Sequence, residues 1–226
     1  MGSDTGIGIA LNVTRTRVTV LVFNLTIISL MLSTIVPRGG AAEYNSIAHL
    51  TSYASLFVGF CLTLVGILWL LFSQNLDAQG LSRPWPFALG TMTTYLALSQ
   101  TVTAFMHEYL LGLKSVVEAS LPGPSDTSQS LVLSETIGNI PLLFLLVMGS
   151  ALWILITYAA PLSTILRSPV HGSRRWVFAA YYFALQVPIY WVYASAWHLQ
   201  YVPADDSTNM LRLFGLQFVQ PLLWFR

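Results

Sequence analysis

Five separate stretches of this chain are long and apolar enough to be helices that cross a membrane, and no other feature constrains the fold so strongly. Crossing a hydrocarbon core as a helix takes about twenty predominantly apolar residues. The stretches run from about Val18 to Val36, Ser52 to Phe72, Pro86 to Met106, Ile140 to Ala160 and Trp176 to Trp197. Gly and Pro stand at nearly every boundary: Pro37-Arg38-Gly39-Gly40 after the first, Arg83-Pro84-Trp85-Pro86 before the third and Pro161 after the fourth. Both residue types punctuate helices, Pro through its missing N–H and Gly through its backbone freedom. The charge content agrees. Charged residues make up 8% of the chain against 55% hydrophobic, whereas a soluble domain carries about 25% charge. A soluble globule is excluded, and so is disorder, which requires low hydrophobicity.

The sequence therefore predicts an all-α, polytopic helical membrane bundle, a single domain over residues 1–226 with five transmembrane helices and its N-terminus inside. The tail from Asn209 to Phe225 contains Arg212 and Pro221. At about 100° per residue, Asn209, Arg212, Gln217 and Gln220 share one broad sector with Leu and Phe opposite. That pattern fits a short sixth membrane segment or an interfacial amphipathic helix. The first sixteen residues are polar, and the apolar run after them is long and lacks a small-residue cleavage site. They predict an uncleaved anchor rather than a signal peptide. Two Asn-X-Thr sequons, at Asn12 and Asn24, fall in the expected inner tail and inside a span, where neither is usable.

Loop charges set the orientation. With the N-terminus inside, Arg15, Arg17, Arg83, Arg167, Arg174 and Arg175 lie on the inner side. Only the bases Arg38 and Lys114 lie outside, with Glu43, Glu118, Asp126, Glu135, Asp205 and Asp206. This is the positive-inside bias. The longest connection, Lys114 to Gly138, reads as irregular chain around Leu121-Pro122-Gly123-Pro124, with Ser130 to Ile137 suited to the membrane surface. No internal repeat is visible, which weakens an inverted-repeat transporter.

Other bulk features exclude functions. A net charge of +1 provides no basic surface for nucleic acid. Lys114 is the sole lysine, so no retinal Schiff base can form in a late helix. The single cysteine, Cys61, rules out a disulfide framework and reads as a small buried hydrophobe. Arg83-Pro84-Trp85-Pro86 followed by Gly90 to Tyr95 is similar to the Trp-Pro segment of tryptophan-rich sensory proteins, but it comes too late in the chain and covers too little of it to assign that family. By size and chemistry, without a shared motif, the chain is similar to small membrane-embedded isoprenoid cyclases and sterol isomerases.

Polar side chains in hydrocarbon need a partner in the bundle or a wet cavity. In the third span Thr93, Gln100 and His107 recur every seven residues with Thr103 beside them. Thr94, Thr101 and Glu108 form the adjacent line. In the fifth span Tyr182, Gln186, Tyr190, Tyr193 and Trp197 make a second stripe, with Pro188 as a kink and His198 at its outer end. Thr19, Thr26, Ser29 and Ser33 in the first span, and Ser52, Ser55, Gly59 and Gly66 in the second, read as packing stripes. Gln100 and Gln186 are costly at mid-depth, so they either line a cavity between the third and fifth spans or bond between helices.

Three of the four histidines, His49, His107 and His198, fall on the outer level together with Glu108, while His171 sits in the inner loop. Imidazoles and a carboxylate suit zinc, iron or copper. Without a compact motif such as HExxH these three remain weak metal candidates, and no metal or cofactor is expected. Haems stacked across the membrane would need histidines at both levels. A metal-free proton site fits better. Carboxyl groups in a membrane environment hold their proton more readily, which suits a general acid. Glu108 is the expected acid with His107 and His198 as partners, against the plainer reading that Glu108 faces water. Gln100, Thr103, Gln186, Tyr190, Tyr193 and Trp197 are the expected substrate contacts, their rings able to stabilise a carbocation.

The resulting expectation is a small membrane enzyme that moves protons on a lipophilic substrate, as in isoprenoid cyclisation or isomerisation. The rivals are a non-catalytic subunit or assembly factor of a membrane complex, and a transporter or channel. Expected partners are membrane lipid, a lipophilic small molecule and other membrane proteins or a second copy, with no nucleic acid. An endoplasmic reticulum membrane and a bacterial inner membrane fit equally.

Overall fold

The computed structural model describes residues 4–35, 49–81, 84–120, 143–167, 174–201 and 209–225, and every one of these segments is predominantly helical. We label them α1 (Asp4–Ile35), α2 (Leu50–Ala78), α3 (Pro84–Ser120), α4 (residues 143–167), α5 (Arg174–Tyr201) and α6 (Met210–Gln217), followed by a 3-10 helix over Gln220–Phe225. The expected loop Lys114–Gly138 begins in helix, because α3 runs on through Ser120; the rest of that loop, His171, Arg38 and the acids Glu43, Asp126, Glu135, Asp205 and Asp206 lie outside the described residues. Among the described residues four helices are long and apolar enough to cross a membrane: Arg15–Ser33 in α1, Leu50–Ala78, Leu143–Leu166 in α4 and Arg175–Gln200 in α5. The third expected span lies in α3. Its Thr, Ser and Gln content leaves it short of that hydropathy although it has 37 residues.

The turn from α2 to α3 follows from one glycine. Gly80 has φ +73°, a left-handed conformation that costs side-chain-bearing residues energy. Its N–H bonds the Asp77 carbonyl and the Leu81 N–H bonds the Leu76 carbonyl, the paired closure of a Schellman motif. Pro84 then begins α3, where a missing N–H is no loss. The two helices run antiparallel along a line of small residues, Ser52, Gly59, Gly66 and Ser73, all buried. A Cβ placed on Gly59 would sit 3.3 Å from the Gln100 Cβ, and one on Gly90 would sit 3.0 Å from Leu70. Small residues allow this approach.

α1 departs from expectation. It starts at Asp4 rather than near Val18, and its Thr19, Thr26, Ser29 and Ser33 are exposed rather than packed. Three of these hydroxyls bond carbonyls of their own helix, Thr19 to Arg15, Thr26 to Val22 and Ser33 to Leu30, so they need no neighbour. α1 packs instead through Leu21, Asn24 and Ile28, and the Asn24 amide donates to Thr63 Oγ1 at 3.1 Å. Cys61, expected to be buried, is exposed on α2.

α4 does not stop at Pro161. It passes through a π-helical turn at Leu155–Ala159 and continues through Ala160–Arg167. Pro161 has no N–H for the Thr157 carbonyl one turn back. The Tyr182 hydroxyl of α5 donates to that carbonyl instead, which removes the reason for the helix to end.

The tail, expected as a short sixth segment or an interfacial helix, is a short helix packed on the bundle. α6 has eight residues, about 12 Å of rise against a core of about 30 Å. Leu213, Gln217 and Gln220 are buried, whereas Leu211 and Arg212 are exposed. α6 packs along α5, with Phe214 against Trp191 and Phe218 against Tyr190.

The interior combines an apolar core with many buried polar side chains, and large apolar side chains cover much of the exterior. Thr91, Thr93, Thr94, Ser99, Gln100, Thr101, Thr103 and His107 of α3 are all buried, while Phe57, Leu68, Phe144 and Val177 are exposed. α3 is the central helix, touching α1, α2, α4, α5 and the terminal 3-10 helix.

Candidate acid–base site

The α2–α3 register sets the site. The same antiparallel line that puts Gly66 against Gly90 and Gly59 against Ala97 carries on to bring His49, the residue preceding α2, to Glu108. His49 Nδ1 lies 2.9 and 3.0 Å from the two carboxylate oxygens. The side chains are 14% and 20% exposed, so the pair is incompletely covered by protein. Both partners can share one proton across this contact. An imidazole held against both oxygens also fixes the carboxyl orientation.

This corrects the expected pairing. Among the described residues Glu108 has no hydrogen bond to His107 or His198. His107 follows Thr103 by one turn and is buried, and adjacent residues on a helix point about 100° apart, so it does not share the Glu108 direction. His198 is half-buried on α5. At its end of the bundle, Gln200 Oε1 accepts from the Thr51 N–H at 3.0 Å and from the Thr51 hydroxyl. The amide thus caps the first turn of α2, which its N-cap residue His49 leaves without a side-chain acceptor. No three His, Cys, Asp or Glu side chains among the described residues come close enough to share a metal ion.

The expected substrate contacts divide into two groups. Gln100, Thr103 and Tyr193 are occupied by other protein groups. The Tyr193 hydroxyl donates to Gln100 Oε1, and Gln100 Nε2 donates to Ser99 at 3.0 Å. Trp153 Nε1 donates to Thr103 Oγ1 at 3.1 Å, and that hydroxyl lies 2.8 Å from Gln220 Oε1. Gln220 in turn donates to Gln217 at 3.2 Å. The α3 threonines Thr93, Thr94 and Thr101 bond carbonyls of their own helix. The polar face of α3 is therefore largely interhelical and backbone bonding. Trp197 is half-buried on α5. Gln186 and Tyr190 are fully buried, and their side-chain polar atoms have no hydrogen-bond partner among the described residues.

An apolar cavity of about 420 Å³ lies between α1, α3 and α4, lined by Ile27, Thr101, Phe105, Met106, Met148 and Leu152 among others. None of the expected contacts lines it. Thr101 and Phe105 are seven and three residues before Glu108, which places them on the Glu108 face of α3, two turns and one turn away. The sequence contains no marker for this cavity beyond the apolar character of its walls.

No protein-family model, curated protein or solved structure matches the chain.

Proposed function

We propose that the protein is a multi-pass membrane enzyme that transfers protons on a lipophilic substrate, with Glu108 as acid and base and His49 as its partner. The observation that carries this reading is the His49–Glu108 contact on the face of α3 that also walls an apolar cavity. A cavity of this size is within the range of about 300–1,000 Å³ used for small-molecule sites, and its walls suit a hydrocarbon skeleton. Protonation of a carbon–carbon double bond by the Glu108 carboxyl produces a carbocation. Return of a proton from a neighbouring carbon to the carboxylate completes an isomerisation, and ring closure before that return gives a cyclisation. Proton count balances in both cases. His49 keeps the carboxyl aimed and exchanges its proton with water.

We place five crossings in the membrane, the four apolar helices and α3, with α6 and the terminal 3-10 helix entering from one side without crossing. α3 lies along α2, whose exterior is apolar, which supports its crossing with α2. The arginines at 15, 17, 83, 167, 174 and 175 support an inside N-terminus. Deuterium tests the activity. Purified protein in lipid nanodiscs is incubated in D2O with a lipid extract or with C15–C40 isoprenoid hydrocarbons. The expected result is carbon-bound deuterium in a defined compound with the wild type and its loss in Glu108→Gln, with both proteins folded to the same extent. Equal incorporation by the two proteins overturns the assignment.

A further inference from the structure

A second group of polar atoms lies deeper in the bundle, apart from the His49–Glu108 pair. Tyr182, Gln186 and Tyr190 stand one turn apart on one face of α5, all buried. The Tyr182 hydroxyl holds this face against the π-helical turn of α4 through the Thr157 carbonyl. Four side-chain atoms here have no hydrogen-bond partner among the described residues: Gln186 Nε2 and Oε1, the Tyr190 hydroxyl and Thr157 Oγ1. The Gln186 amide lies beside the Tyr182 hydroxyl, and the Tyr190 hydroxyl beside that of Tyr158, without the geometry of a bond. Tyr158 donates its own proton to the Phe218 carbonyl.

Leaving such groups unpaired in a dry interior is costly, and native folds rarely do it without a purpose. The neighbouring network from Trp153 through Thr103 and Gln220 to Gln217 is closed, and the other unpaired buried atoms among the described residues belong to Arg17, Asn24, Ser52, Ser150 and Trp224, one atom each. π-helical turns recur at functional sites because they displace side chains from the regular helix register. Among the described residues the polar side chains beside Tyr182 and Tyr190 are tyrosines and Gln186, none of them charged. A metal ion or an anion therefore has nothing to balance its charge here. The amide presents donors and an acceptor, and each hydroxyl both donates and accepts. The matching partner is neutral and does both.

We propose that Gln186, Tyr190 and Thr157 form a binding site for a neutral hydroxyl group, supplied by an internal water molecule or by the alcohol end of a lipophilic molecule. The site is independent of the proton-transfer reading and stands whether or not Glu108 is catalytic. Thermal unfolding of the full-length protein in detergent tests it through the sign of the change. Tyr190→Phe removes one oxygen and keeps the ring that packs 4.7 Å from Phe218. Thr157→Val and Gln186→Leu remove the other polar atoms at near-constant volume. With a bound hydroxyl, each substitution lowers Tm by about 2–4 °C. An unchanged or raised Tm overturns the proposal, since deleting an idle buried polar atom relieves a penalty. If Gln186→Leu does not fold, Tyr190→Phe decides alone. Farnesol added to the wild type separates the sources. A Tm rise that Tyr190→Phe abolishes assigns a lipophilic alcohol. No rise, with the substitutions still destabilising, assigns water.

Discussion

α2 and α3 lie side by side for their whole shared length and have opposite characters. α2 contains the most apolar candidate span, with a mean hydropathy of 2.4, and turns Phe57, Leu64, Leu68 and Leu71 outward. α3 has no window of comparable hydropathy, yet it is the helix that touches α1, α2, α4, α5 and the terminal 3-10 helix. In a chain of this kind hydropathy reports contact with the apolar exterior, and polarity marks the helix that neighbours can satisfy. α3 can hold threonines, a glutamine and a histidine because it is surrounded by protein. α2 cannot do so on its outer face.

That contrast can be broken most forcefully at the seam. Gly90→Leu drives a side chain into Leu70 and Trp69, with the Cβ alone at 3.0 and 3.2 Å. The expected loss is about 3 kcal/mol, read as a collapse of the monodisperse folded peak and of Tm. Next comes the interior of α3. Tyr193→Phe removes the donor to Gln100 Oε1 and should cost about 1–3 kcal/mol by leaving a buried carbonyl unpaired, read by thermal unfolding. Gly80→Ala strains the positive-φ residue of the α2–α3 turn and should cost about 1 kcal/mol with the bundle otherwise unchanged. The smallest effect is expected outside. Leu68→Ala, on the exposed face of α2, should change stability by less than about 0.5 kcal/mol. A larger loss there would show that this face packs against another protein.

How much of this was legible differs from element to element. The helical class, the one end of the bundle shared by His49, His107, His198 and Glu108, and the buried faces of α3 and α5 all follow from periodicity and hydropathy. The partner of Glu108 does not follow from depth, because three imidazoles share that depth. It follows from the register of α2 on α3, which the seven-residue spacing of Ser52, Gly59 and Gly66 encodes once a facing helix is specified. Pro161 reads as a stop because its local chemistry says so. Only a hydroxyl from Tyr182, distant in sequence, cancels that signal. Gln217 and Gln220 look water-facing because polar residues usually are, yet here Gln220 faces Thr103. Cys61 and the α1 hydroxyls went the other way, since small or self-bonded groups tolerate an exposed helix face.

The most direct test of the central claim compares the three histidines in the deuterium assay. His49→Gln, His107→Gln and His198→Gln are reconstituted in nanodiscs and compared with wild type for carbon-bound deuterium in D2O. The account predicts that His49→Gln alone loses about 100-fold in rate, the scale of a positioned acid–base partner, while the other two stay within a few-fold. Loss in His107→Gln or His198→Gln with His49→Gln unaffected would contradict it.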